Sequence, residues 1–173
     1  MVRGYAILLA AVAIERACEL IVSRRHARRM LARGAIERGG GHYPVMVALH
    51  TALLVGCAIE PSVLRRPFVP RLGLPMLALV ALAQATRWWA IASLGERWTT
   101  RVIVPRGAPR VVKGPYRWLS HPNYAAVVVE GAALPLVHSA WLTALLFAIA
   151  NARLLSVRIA TEEAALDAAE PGT

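Results

Sequence analysis

Five apolar segments alternate with arginine-rich segments along this chain. They run from about Tyr5 to Val22, Tyr43 to Ile59, Leu72 to Leu94, Asn123 to Val137 and Ala140 to Val157. Because about 20 helical residues cross the roughly 30 Å hydrocarbon core of a bilayer, the pattern predicts five transmembrane helices. The fourth segment is short and contains Pro135, which predicts an early helix end or a kink.

The composition supports an all-α integral membrane protein. The chain has 173 residues, of which 57% are hydrophobic, and a mean hydropathy of +0.50, well above that of ordinary soluble domains. We expect one domain over residues 1–173, because no internal repeat or low-complexity segment interrupts it. The formal charge of +10 comes from arginines between the apolar segments, where membrane lipids are the expected partners and nucleic acid is not.

The cationic residues also predict the orientation in the membrane, because short cytoplasmic loops are enriched in arginine and lysine. The two largest clusters follow the first and third apolar segments: Arg24, Arg25, Arg28, Arg29, Arg33 and Arg38, and then Arg97, Arg101, Arg106, Arg110, Lys113 and Arg117. A weaker set remains for the opposite side: Arg3, Arg65, Arg66 and Arg71. We therefore expect a multi-pass protein of the inner (cytoplasmic) membrane with its N-terminus outside and its C-terminus in the cytosol.

Several common chemistries lack their sequence motifs. The chain has no GxGxxG, P-loop, HExxH, CxxC or GxSxG pattern. Cys18 and Cys57 fall inside apolar segments and are interpreted as small core residues. The five histidines are scattered, with none paired at ligand spacing, so we expect no metal site.

A polar stretch begins the fourth apolar segment. It reads KGPYRWLSHPNYAAVVVEG from Lys113 to Gly131. By itself it is equally typical of an ordinary helix start, with Pro122 in the first turn and Ser120 or His121 as the cap. The second interpretation is a polar site at the mouth of a membrane helix.

A second polar stretch, NARLLSVRIATEEAAL, ends the fifth segment. Helical spacing places Asn151, Arg158 and Glu162 on one face, which offers an amide, a guanidinium and a carboxylate. The alternative is an i,i+4 ion pair on a solvated helix end. Both stretches are predicted at the cytosolic membrane face, where they would form one site.

Ionisable residues also occur deep in the apolar segments. His50, Arg87 and Glu130 are functional candidates because buried charges in a membrane are costly. The alternatives are a hydrogen-bonded core histidine and a mutual Arg87–Glu130 ion pair. The same reasoning interprets three residues of the first segment as structural polar groups: Glu15, Arg16 and Glu19.

These features together resemble the isoprenylcysteine carboxyl methyltransferase family, integral membrane enzymes that use S-adenosylmethionine. The resemblance covers about residues 94–166 and rests on GPYRWLSHPNY, the short hairpin and RIATEEAAL. The HPxY motif corresponds to His121, Pro122, Asn123 and Tyr124, and RIxxEE to Arg158, Ile159, Glu162 and Glu163. The resemblance implies that these groups wrap the cofactor, with Lys113, Gly114 and Tyr116 closing over it. Asn151, on the face of Arg158, joins the cofactor-binding candidates.

The segment RWWAIASLGERWTTRVIVPRG and Glu130 are more similar to a bacterial branch of that family. Some of its members O-methylate alkylpyrones or alkylresorcinols, whereas the eukaryotic-type members continue beyond RIxxEE with a segment that this chain lacks. The acceptor is therefore expected to be a lipophilic molecule with either a hydroxyl or a carboxylate.

Roles in the reaction follow from that acceptor. A hydroxyl acceptor would use a general base, for which Glu130, Glu162 and His50 are candidates in that order, and Arg158 completes the catalytic set. The substrate-binding candidates are Arg87, Trp88, Trp98 and Glu130, although an aromatic belt at the membrane interface also explains the tryptophans. Two rival functions remain open: an NADPH-dependent membrane reductase of the sterol-reductase type, and a non-catalytic membrane scaffold.

Overall fold

The computed structural model describes residues 2–169, which form a bundle of five α-helices. The helices are α1 (Val2–Ala32), α2 (Tyr43–Val63), α3 (Pro70–Leu94), α4 (Pro122–Leu136) and α5 (Trp141–Asp167). Short 3-10 turns lie at Gly40–His42, Gly95–Arg97 and Gly114–Arg117. The all-α prediction is confirmed, with the addition of one short antiparallel ribbon, β1 (Ile36–Arg38) and β2 (Val102–Val104).

Three helical segments within residues 2–169 are long and apolar enough to cross a membrane: Gly40–Val63, Pro70–Arg97 and Trp141–Asp167. Large apolar side chains on their outer faces are exposed, among them Leu82, Leu145 and Ile149, as expected for contact with lipid. Helix α1 carries several charges, and α4 has only 15 residues, ending one residue after Pro135. The membrane location is thus supported, and the count of five spans stays a prediction.

Helix α1 is longer than the first apolar segment, which corrects one expectation. The arginines from Arg24 to Arg29 lie on the helix itself and not in a loop. This extension is helical because it has a buried face: Ala27 and Met30 pack against Ile103 of β2. Ser23 is also buried there, with its hydroxyl 2.8 Å from Thr100 Oγ1. The extension thereby holds the segment that precedes β2.

The ribbon joins the two arginine-rich segments. Ile36 is opposite Val104, and Arg38 is opposite Val102. The connections after α1 and after α3 therefore lie at the same end of the bundle, as the charge pattern predicts. All three residues of β2 are buried, and the ribbon covers the ends of the helices at this side.

The apolar core lies in the other half of the bundle, where Leu53, Val80, Leu134 and Phe147 pack together. Cys57 is fully buried in this core, as expected, whereas Cys18 is exposed on α1, so its interpretation as a core residue is wrong. Helix α4 packs most extensively on α3 and then on α5. Core packing at one end and the ribbon at the other leave a cavity between them.

Candidate functional site

A cavity of about 430 Å³ extends from the ribbon into the helix bundle. Its volume lies in the range of small-molecule sites, about 300–1,000 Å³. One part of its wall is polar and includes His121, Tyr124, Arg158, Glu162 and Glu163. Another part is apolar and includes Val47, Leu54, Val127, Leu154 and Leu155. The cavity thus has a charged end and an apolar end, and a ligand would contact both.

The start of α4 and the end of α5 are joined by paired polar groups. Tyr124 donates a hydrogen bond from its hydroxyl to a carboxylate oxygen of Glu162. The His121 ring stacks on Tyr124, with centroids 5.3 Å apart, and its Nε2 lies 2.8 Å from Glu163 Oε1. Arg110 donates to the other oxygen of Glu163 at 2.8 Å. The two motifs are therefore in contact, as the sequence predicts.

His121 itself does not cap α4 through its side chain, which corrects another expectation. It occupies the N-cap position, but its ring is drawn towards Glu163 on α5. Pro122 does stand in the first turn, as predicted. The turn chemistry of this stretch is thus ordinary, and its histidine serves the contact between two helices.

Arg158 is the most enclosed charge of the polar end, with 4% of its surface exposed. Its Nη2 donates to the Thr100 carbonyl oxygen at 2.9 Å, and its guanidinium lies 5.8 Å from the centroid of the Tyr124 ring. The side chains of Arg158 and Glu162 are therefore directed to partners on other elements. The sequence alternative of an ion pair on a solvated helix end does not describe this arrangement.

On the α5 side of the cavity, two buried polar atoms have no hydrogen-bond partner among residues 2–169. They are Arg158 Nε, a donor, and Asn151 Oδ1, an acceptor. Both residues line the cavity, and Asn151 is only 3% exposed. Leaving such atoms unpaired costs about 1–3 kcal/mol each, so a polar ligand that pairs with them would be bound favourably.

A network of charges lies deeper, between α1, α3 and α4. Arg87 Nη2 is 3.1 Å from Glu130 Oε2, and Arg87 Nη1 donates to Asn123 Oδ1 at 3.2 Å. Arg16 Nη1 is 2.9 Å from Glu19 Oε2, and its Nη2 is 3.7 Å from Glu130. Arg16, Glu19 and Arg87 line the cavity, so this network forms part of its inner wall.

The cavity gathers many of the predicted site residues. Those that line it are His50, Arg87, Trp98, Tyr116, His121, Tyr124, Asn151, Arg158, Glu162 and Glu163. Five others lie outside the described wall: Trp88, Lys113, Gly114, Pro122 and Glu130. Glu130 is paired with Arg87 and Arg16, which line the cavity, so its carboxylate stands behind the described wall.

The aromatic residues differ from one another in position. Trp98 is buried, with 3% of its surface exposed, so a lipid-facing belt does not account for it. Trp88 is half exposed and donates to Glu15 Oε1 at 2.6 Å, outside the cavity. Tyr116 lies in the turn before α4, and burial raises the pKa of its phenol above the ordinary value. Tyr116 is therefore a neutral hydrogen-bond donor at any physiological pH.

Gly114 has a conformational reason for its place. Its φ is +54°, and a Cβ built on it would lie 2.1 Å from Ser93 Oγ and 2.9 Å from Trp89 Nε1. A side chain at this position would thus be both strained and obstructed. Gly114 allows the turn that carries Tyr116 to pack against α3, whereas Lys113 is exposed.

Several residues of the wall are not evident from the sequence. The pattern indicates a structural role for Arg16 and Glu19 and no role for Thr100 or the strand β2, although all of them line the cavity. The β-branched run Val102, Ile103 and Val104 is a recognisable strand signal. Within the described residues, no group of three or more histidine, cysteine, aspartate or glutamate side chains is arranged to hold a metal ion.

Comparison with known proteins identifies the family. Residues 76–168 match the sequence profile of the isoprenylcysteine carboxyl methyltransferase (ICMT) family. The chain is also similar to the uncharacterized protein YpbQ of Bacillus subtilis, with 39% identity over 92% of this chain and 95% of that protein. An uncharacterized protein of Haemophilus influenzae is 28% identical over 85% of this chain and 86% of its own length. The chain belongs to the isoprenylcysteine carboxyl methyltransferase family, a family of membrane methyltransferases.

Proposed function

We propose that this protein transfers a methyl group from S-adenosylmethionine to an oxygen atom of a lipophilic acceptor. The observation that carries the proposal is the cavity itself, which joins a polar end to an apolar wall within a membrane bundle. A charged cofactor and a hydrophobic acceptor need these two environments side by side. The family to which the chain belongs supports the same reaction class.

The polar end fits the parts of S-adenosylmethionine. Glu162 is suited to the ribose hydroxyls or the ammonium group, and Arg158 to the carboxylate, because charge-assisted hydrogen bonds are the strong ones. The unpaired Asn151 Oδ1 and Arg158 Nε supply one further acceptor and one further donor. Tyr116 adds a neutral hydroxyl. When bound, the cofactor supplies an electrophilic methyl group on sulfur, and the protein supplies alignment and exclusion of water.

The apolar wall is suited to the tail of the acceptor. Val47 and Leu54 of α2, Val127 of α4 and Leu154 of α5 present only hydrocarbon to the cavity. A tail placed against them would leave its reactive oxygen near the polar end. The acceptor carries a hydroxyl, as in an alkylpyrone or alkylresorcinol, or a carboxylate, as in an isoprenylated cysteine.

The proposed orientation places this site at the cytosolic face. The ribbon joins both arginine-rich connections at the cavity end of the bundle. A single orientation would therefore put both connections on the cytosolic side. S-Adenosylmethionine is a cytosolic metabolite, and the arginines at this end favour the cytoplasmic side of the inner membrane. The C-terminus then lies in the cytosol.

Calorimetry on the purified protein in detergent tests the proposal. We expect S-adenosylhomocysteine to bind, and Glu162→Gln to weaken its affinity about 10-fold or more because a charge-assisted hydrogen bond to the ligand is lost. Glu96→Gln is the matched control: Glu96 is exposed and pairs with Arg29 and Arg33 outside the cavity wall. NADPH is titrated in parallel. Binding of NADPH without S-adenosylhomocysteine would favour a reductase, and binding of neither would favour a scaffold.

A further inference from the structure

His50 lies on α2, and its ring lines the cavity. Its Nδ1 is 2.9 Å from the carbonyl oxygen of Met46, one turn earlier on the same helix. Because a carbonyl oxygen can only accept, Nδ1 must carry the proton in this bond. In the neutral ring, the basic lone pair therefore lies on Nε2, at the edge of the ring away from Met46. The helix backbone thus fixes the tautomer that a general base requires.

The two carboxylates that compete for this role are already engaged. Glu130 Oε2 lies 3.1 Å from Arg87 and 3.7 Å from Arg16, and the residue stands behind the described cavity wall. Glu162 accepts the hydroxyl hydrogen of Tyr124. Oε2 of each carboxylate thus already accepts a hydrogen bond from another side chain. His50 uses Nδ1 for its hydrogen bond within residues 2–169 and keeps Nε2 for a substrate. His50 therefore comes first among the candidates, ahead of the two carboxylates that the sequence favours.

The charged network lies next to His50 on the inner wall of the cavity. Its acidic members are Glu15, Glu19 and Glu130, and its basic members are Arg16 and Arg87. Arg16, Glu19 and Arg87 line the same cavity as His50. Because Arg87, Glu130 and Arg16 interact electrostatically with His50, substituting any of them should shift the pH dependence that His50 gives to the reaction.

We propose that His50 Nε2 takes the proton from the hydroxyl group of the substrate during methyl transfer; this inference rests on the proposed function. The O–H bond of the acceptor breaks, and its proton moves to Nε2. The new O–C bond forms as the S–C bond of the methylsulfonium donor breaks, and that electron pair stays on sulfur. The products are a methyl ether, a neutral thioether and an imidazolium, which then releases its proton to water.

The role of His50 depends on the acidity of the acceptor. A carboxyl group has an ordinary pKa of about 4 and is ionised at neutral pH, so it needs no base. A phenol has an ordinary pKa of about 10 and must lose its proton during the reaction. His50 is thus required for a phenolic hydroxyl, as in an alkylresorcinol, and dispensable for an acceptor that is already ionised, such as a carboxylate.

The experiment compares the wild type and His50→Gln with two probe acceptors, 5-pentadecylresorcinol and N-acetyl-S-farnesylcysteine. We expect the wild type to methylate the resorcinol, and H50Q to lose about 100-fold or more in kcat, the usual contribution of a positioned base. A halogenated alkylphenol, whose hydroxyl is more acidic, should recover part of that loss. The wild-type rate should rise with pH through one ionisation, and this rise should be absent in H50Q.

A matched control separates catalysis from folding. His138→Gln makes the same change at a buried histidine that packs between Tyr5 and Phe68, outside the described cavity wall. Calorimetric affinity for S-adenosylhomocysteine should be unchanged in H50Q and H138Q, which shows that the site is intact. Wild-type turnover of the resorcinol by H50Q, or turnover of the farnesylcysteine probe alone by the wild type, would overturn the assignment. If the wild-type protein does not bind S-adenosylhomocysteine, the proposed function itself is refuted.

Discussion

Arg87 Nη2 lies 3.1 Å from Glu130 Oε2, and this pair joins α3 to α4 in the interior of the bundle. Both residues are buried, with 4% and 6% of their surfaces exposed. The ion pair that the sequence offers as an alternative to function is therefore present. It does not stand alone, because Arg16 and Glu19 connect it to α1 and to the cavity.

The charge balance of this network predicts an asymmetry between two substitutions. Arg87→Gln leaves three carboxylates with one guanidinium, and we expect a loss of about 3–5 kcal/mol in the free energy of unfolding. Glu130→Gln leaves two of each and should cost less. Thermal denaturation in one detergent, at one pH, measures both variants. Equal shifts of Tm would show that charge balance does not control the stability of the network.

Glu60 supplies the helix cap that α5 lacks in its own sequence. Its carboxylate accepts from the backbone N–H of Leu142 at 3.1 Å and of Thr143 at 2.7 Å, and from the Thr143 hydroxyl at 2.8 Å. The N-cap position itself is Ala140, which has no side-chain cap. Negative charge at a helix N-terminus is stabilising, so α2 holds the start of α5 through this carboxylate.

We predict that Glu60→Gln destabilises the protein by about 1–2 kcal/mol, the usual loss for a helix cap. S-Adenosylhomocysteine affinity should be unchanged, because Glu60 lies outside the described cavity wall. Ser62→Ala is the control, since Ser62 is exposed and its hydroxyl donates to the Ala58 carbonyl oxygen of its own helix. A Tm for E60Q equal to that of S62A would contradict a capping role.

Gly131 allows α4 to lie close to α5. A Cβ built at this position would be 2.0 Å from Cε1 of Phe147, whose side chain is buried in the core. Gly131→Ala should therefore lower stability by about 1–3 kcal/mol, the range for overpacked cores. Adding Phe147→Leu should recover part of the loss because the smaller side chain leaves room for the methyl group. If the double variant loses more free energy of unfolding than the two single variants together, close packing is not the cause.

The sequence predicted what depends on local pattern. Apolar runs locate five of the six ends of α2, α3 and α5 to within a few residues; the exception is the C-terminal end of α5. The spacing of Arg158 and Glu162 places both on the cavity side of α5. The tail of α1 reads as a loop in the sequence because its buried face is formed by contacts with residues some 70 positions away, among them Ile103 and Thr100. Arg16 and Glu19 acquire their place in the wall from tertiary contacts that no local pattern specifies.

Cysteine labelling in intact cells tests the orientation of the bundle. Ser62 and Lys113 are both exposed: Ser62 lies in the last turn of α2, and Lys113 lies in the connection before α4. In a Cys18→Ser background, which removes the exposed native thiol, we expect Ser62→Cys to react with a membrane-impermeant maleimide added outside. Lys113→Cys should react only after the cells are permeabilised, because the arginine-rich end faces the cytosol. The buried Cys57 serves as the internal control for leakage or unfolding, since it should label only in detergent-denatured protein. The reverse pattern would place the cavity outside the cell, where S-adenosylmethionine is not supplied, and would argue against the proposed function as well as the orientation.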